Sequence, residues 1–173
     1  GDNKVIKKFI SESMEEMVIA FDYKEMADIR GEIVSRSIRK KPSQYSMAFA
    51  ASLEKAVKPV LAEVAGLSDK SRMIQMKLNL LILLAQVECM ELAPVGMSML
   101  DDENAAVRYW AVNSVAKSEI ADQLKSKVTG DEKLAGQIIS RYDKMIEDRT
   151  HPEIINLIRG FADGVDSPQA AAL

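Results

Sequence analysis

The residues of this 173-residue chain with the most chemical potential are few and scattered. His151 is the only histidine. A histidine base needs a nucleophile or an orienting partner within reach, and no neighbouring spacing marks one. Its place between Thr150 and Pro152 reads instead as the start of a helix. Cys89 is the only cysteine, so no intrachain disulfide can form. It closes the most apolar stretch of the chain, where a free thiol behaves as a small hydrophobe. Among ten methionines, Met14 with Met17, Met73 with Met76 and Met97 with Met99 could offer paired thioethers to Cu(I). Helical spacing among Leu and Ile is also what a core stripe requires, and methionine fills cores freely.

Asp101-Asp102-Glu103 has the oxygens of a cation site but not the alternation around a glycine turn that a Ca²⁺ loop needs, so it reads as a helix N-terminus. Arg36, Arg39, Lys40 and Lys41 could meet phosphate. As one cluster on a chain of net charge −3 and pI near 5.3, they suit the negative end of a helix better, and nucleic acid is not an expected partner. Gly-rich phosphate loops, CxxC pairs, HExxH and nucleophile elbows do not occur. No catalytic, cofactor-binding or metal-binding residue is therefore assigned, although a carboxylate-based active site would leave little local trace.

The elements that position these residues are helices. Apolar residues make up 47% of the chain, aromatic ones 5%, and only eight Gly and five Pro are available to punctuate it. Val5, Ile6, Phe9, Ile10, Met14, Met17, Val18 and Phe21 recur at helical spacing. Asp22 with Glu25 forms a capping box before a second stripe, Met26, Ile29, Ile33, Val34 and Ile38, which Pro42 stops. A third helix over 43–65 contains Pro59 and should kink near Lys55. The run from Leu78 to Val87 is too short to span a bilayer, which takes about 20 apolar residues, and predicts a helix covered on several sides. Pro94 suits the first turn of a short helix. Asp101 or Asp102 is expected to cap a helix over 104–117, and Ser118 to open another. Thr129 with Glu132 and Thr150 with Glu153 open the last two. No segment alternates as a strand does. These signals predict an all-α chain of eight or nine helices in antiparallel pairs, forming one domain over 1–165, with 166–173 as a mobile tail. The Gly1-Asp2 start without Met suggests a trimmed N-terminus, which leaves both cytoplasmic and extracytoplasmic compartments open.

The stretch Met99-Leu100-Asp101-Asp102-Glu103-Asn104-Ala105-Ala106-Val107-Arg108-Tyr109-Trp110-Ala111-Val112 resembles the turn and second helix of a HEAT repeat. In that pattern an Asp in the turn precedes a Val-Arg pair, here Asp102 and Val107-Arg108, followed by small and aliphatic residues, here Ala111 and Val115. The clearest repeat covers 91–117, with weaker copies over 45–87 and 132–162, where Lys77 and Ile155 stand in the arginine's place.

The resemblance implies a short right-handed α-solenoid of the HEAT or armadillo type, in which Asp102 and Arg108 pair at the turn. It further implies a non-catalytic module whose second helices hold a protein or peptide. Tyr109 and Asn113, with Asn156 and Arg159 on the last helix, are then the expected partner-binding face. The alternative on the same architecture is an enzyme or nucleic-acid binder similar to HEAT-like DNA glycosylases or phycobilin lyase-type proteins.

Overall fold

The computed structural model describes residues 2–37, 43–126, 130–147 and 152–165. Among these residues every regular element is helical and no strand is found. The chain divides between Val87 and Glu88 into two compact units.

The first unit contains α1 (Asp2–Ile19), α2 (Tyr23–Arg36), α3 (Gln44–Ala65) and α4 (Lys70–Val87). α1 packs against α2 and α3, and α4 packs against the same two helices. The stripe of α1 buries Ile6, Ile10, Met14 and Met17, while α4 buries Met76, Leu80, Leu81, Leu83 and Leu84. Each such side chain removed from water contributes roughly 1.5–3 kcal/mol.

Capping residues set where these helices begin. Asp22 accepts the Glu25 N–H, and Ser43 and Ser46 reciprocate in a capping box. Asp69 Oδ1 accepts from the N–H groups of Ser71 and Arg72 before α4. α3 runs through Pro59, which has no N–H to offer the Lys55 carbonyl. α2 ends at Arg36, and residues 38–42, including Ile38, Arg39, Lys40, Lys41 and Pro42, lie outside the described residues.

Two arginines tie this unit together from inside. Arg30 on α2 donates to Asn79 Oδ1 on α4, the one fully buried polar side chain of the apolar helix. The Asn79 amide nitrogen has no partner among the described residues. Arg72 at the start of α4 donates to the carbonyls of Val18 at 2.9 Å and Ala20 at 2.7 Å, which closes the C-terminal end of α1.

The second unit opens with a short 3₁₀ turn, Met90–Leu92, and continues through α5 (Ala93–Met97), α6 (Ala105–Val115), α7 (Ser118–Leu124), α8 (Glu132–Glu147) and α9 (Pro152–Val165). α6 packs on α5 and α9, and α7 packs on α8 and α9. Close approach of α5 to α6 depends on Gly96. A Cβ there would sit 2.4 Å from Ser114 Oγ and 2.7 Å from Val115 Cγ2. Tyr142 of α8 is fully buried, meets Phe161 of α9 edge-on at 5.8 Å and donates to the Val112 carbonyl of α6 at 3.3 Å.

Glu88 takes the left-handed conformation, with φ of 55°, which costs a non-glycine residue roughly 1–2 kcal/mol. The Gln123 side chain of α7 holds the segment in that shape. Its Nε2 donates to the Glu88 carbonyl at 2.8 Å, and its Oε1 accepts the Met90 N–H at 3.0 Å.

Candidate functional site

The turn before α6 is organised by its polar side chains. Asp102 Oδ1 accepts the Asn104 N–H at 2.9 Å, and Asn104 Oδ1 accepts from Ala106 and Val107. Asn104, and not Asp101 or Asp102, is therefore the N-cap, because the Asx turn made by Asp102 moves the cap two residues onward. The Asp101 carboxylate instead pairs with Arg141 on α8. Arg108 Nη1 donates to the backbone carbonyls of Asp102 at 2.7 Å and Glu103 at 3.0 Å. A guanidinium suits this job, since its donors form a rigid planar fork.

One turn further on, Val107, Ala111 and Val115 are buried, while Tyr109, Trp110 and Asn113 are half-buried. Tyr109 meets Trp110 edge-on, with centroids 5.8 Å apart. On α9, Ile154, Ile158, Phe161 and Ala162 point inward, and Asn156 and Arg159 are exposed. No hydrogen bond, ion pair or ring contact among the described residues links Tyr109, Asn113, Asn156 and Arg159 to one another.

The residues with reactive side chains have structural surroundings. Met14, Met17, Met76 and Met99 are buried in the core. The Cys89 thiol donates to Glu91 Oε2. Burial, followed by the hydrogen bond and negative charge of Glu91, pushes its pKa up to about 12, so the thiol stays protonated and weakly nucleophilic. Arg36 lies 3.9 Å over the Phe9 ring and pairs with Glu32 at 2.6 Å, so its charge is already engaged. His151 lies outside the described residues, as do Thr129 and Thr150. No group of three or more His, Cys, Asp or Glu is arranged around a common point among the described residues.

The first unit carries an open, largely apolar groove. It runs between α1 and α3 with a volume of about 360 Å³, within the roughly 300–1,000 Å³ of ligand pockets. Met14 and Val60 line it from the buried side, with Val18 and Ala56 half-buried beside them and Pro59 exposed. Exposed Ser11, Glu15, Ile19 and Glu63 complete the lining.

At the end of the groove Ile19 is 81% exposed, and outside its lining Phe21 is 94% exposed. Phe21 precedes the N-cap Asp22, a position whose apolar side chain commonly packs on the fourth helical residue, here Met26. Almost fully solvated, it makes no such staple and forgoes roughly 1.5–3 kcal/mol of burial.

The backbone at this corner is nevertheless fixed. Arg72 holds the carbonyls of Val18 and Ala20, and the Phe21 N–H donates to Glu25 Oε2 at 2.6 Å. The apolar spacing of α1 marks Val18 and Phe21 in the sequence, but as core. Nothing local in the sequence distinguishes an apolar residue held open from one that is covered. The chain matches no protein-family profile, no curated protein and no solved structure significantly.

Proposed function

We propose that this chain is a non-catalytic interaction module that holds a segment of another protein. The observation that carries the reading is the Ile19–Phe21 corner: two large apolar side chains in water on a backbone pinned by Arg72 and Glu25. Solvated apolar groups on a rigid frame favour binding twice. Burial of the side chains is favourable, and little backbone freedom remains to be lost.

The finer architecture belongs to the same proposal. We read 91–117 as a repeat of HEAT type in a short right-handed solenoid, with Arg108 on the turn carbonyls as its support. Tyr109, Asn113, Asn156 and Arg159 form a second candidate face, supported by the exposure of Asn156 and Arg159 on one side of α9. No observation favours the enzyme or nucleic-acid reading over this one.

The test is site-specific photocrosslinking with the full chain in its native cells. A benzophenone amino acid replaces Phe21, Arg159 or the exposed control Lys70. The reading expects a discrete adduct with another polypeptide from position 21. Adducts from 159 alone would move the binding face to α9. No adduct above the Lys70 control at either position would overturn the interaction module.

A further inference from the structure

Resting on that interaction reading, we infer that the α1/α3 groove takes an amphipathic helix from a partner protein, with apolar side chains one turn apart and Lys or Arg on its flank. The length of the groove argues for a helix. It extends along α1 from Ser11 to Ile19, which corresponds to about 12 Å of helical rise. That length matches the apolar positions i, i+3 or i+4, and i+7 of a helix laid into a groove between two others. Val18, Ala56 and Val60 provide a surface for those positions, and Phe21, just past the end of α1, can cover the next apolar side chain.

Charge selects the flank. The ionisable groups that line the groove are both carboxylates, Glu15 and Glu63. Glu15 accepts from Ser11, and Glu63 has no side-chain partner among the described residues. On α3, Lys58 pairs with Glu54 at 2.7 Å, and Lys55 is exposed but does not line the groove. α3 carries no basic residue in its last turn, so the negative end of its dipole adds to the Glu63 charge. An apolar floor edged by carboxylates favours an apolar helix edged by cations and disfavours an acidic one.

The probes are two synthetic 14-residue amphipathic peptides with the same leucines, one flanked by lysines and the other by glutamates. Each is titrated into the full isotope-labelled chain, with affinity read by fluorescence anisotropy and location by amide shifts. The lysine peptide is expected to shift the amides of Val18, Ile19, Ala56 and Val60. It should bind roughly fivefold to tenfold more tightly than the glutamate peptide, as a pair of exposed charge contacts allows. In the Glu15→Lys/Glu63→Lys chain the preference should invert, and Glu15→Gln/Glu63→Gln should remove it. Ala56→Met, checked for folding by its spectrum, should weaken both peptides by filling the groove.

Equal affinity of the two peptides, or shifts confined to other helices, would overturn the inference. So would a concentration-dependent dimer that Phe21→Ser abolishes, because the occupant would then be a second copy of this chain. An adduct from position 21 together with charge-indifferent peptides would sink this inference and leave the interaction reading standing. Absence of both adduct and peptide binding would remove the two together.

Discussion

The two units treat their large apolar side chains differently. Val5, Ile19, Phe21, Tyr23 and Met47 are the large apolar side chains most open to water among the described residues, and all belong to the first unit. In the second unit Val107, Val112 and Val115 of α6 and Ile154, Ile158 and Val165 of α9 are buried, Ile155 and Leu157 are half-buried, and Gly96 lets α5 lie tightly on α6. A side chain would meet nothing within 4 Å at Gly31 in α2, nor at Gly136 in α8 or Gly160 in α9, so the tight approach at Gly96 is local to α5 and α6. A unit that seals its apolar surface is organised for stability. One that fixes its backbone while leaving apolar side chains uncovered retains a surface for something else.

The largest effect expected is at the close α5–α6 approach, set against an open glycine. Gly96→Val forces branched carbons into space held by Ser114 and Val115, and should cost about 3 kcal/mol in a urea melt, the upper part of the usual overpacking range. Gly31→Ala meets no obstruction and replaces a poor helix former, so it should stabilise by about 0.5–1 kcal/mol. If Gly96→Val proves neutral, α5 can slide, and the second unit is not closely packed in the sense claimed.

Second in size is Arg72→Met. It keeps much of the side-chain volume but removes the charged donors to Val18 and Ala20, and should cost about 2–3 kcal/mol. Faster amide exchange around Ala20 to Glu25 should accompany the loss. Unchanged exchange there would mean the corner is rigid without Arg72.

Arg72 and Arg108 show what was legible in the sequence. Both donate to two backbone carbonyls, Arg72 at the end of α1 and Arg108 in the turn before α6. Arg108 bonds residues five and six positions away, and that short spacing is visible in the turn pattern of Asp102 to Arg108. Arg72 bonds residues 52 and 54 positions away, which no local pattern encodes. The same division holds elsewhere. The Asp22 cap and the buried part of the α1 stripe follow from local spacing, whereas the sequence pattern places Ser43 within its helix rather than at the cap. The Arg30 bond to Asn79, the Gln123 brace on Glu88 and the groove arise only when distant segments meet. Phe21 is the sharpest case, because its place in the α1 periodicity predicts burial while its side chain is in solvent.

A smaller effect is expected from Arg108→Ala. The guanidinium is half-buried and its acceptors are two carbonyls, so its removal should cost about 1–2 kcal/mol. Arg108→Lys should recover part of this, since one ammonium meets two diverging carbonyls less well than a planar fork. A cost as large as that of Arg72→Met would erase the distinction between a local brace and a long-range one.

On α6, Tyr109→Ala should cost about 1 kcal/mol through its edge contact with Trp110, whereas Asn113→Ala should stay within about 0.5 kcal/mol. Should Asn113→Ala prove as costly as Tyr109→Ala, both residues belong to the packing of the second unit, and the α6/α9 face loses its claim on a partner.

The smallest expected effect on stability is at Phe21, and it bears most directly on the contrast between the units. A side chain that is 94% exposed has almost no burial to lose, so Phe21→Ser should change the unfolding free energy by no more than about 0.5 kcal/mol. The Phe21 main-chain N–H, bonded to Glu25, is untouched by the replacement. Aggregation at high concentration should fall, because one of the most exposed apolar groups has gone. Binding of the lysine-flanked peptide should weaken by roughly tenfold, the loss of about 1.4 kcal/mol of apolar contact. A stability loss near 2 kcal/mol would show that Phe21 is covered in solution, and the first unit would then be sealed like the second.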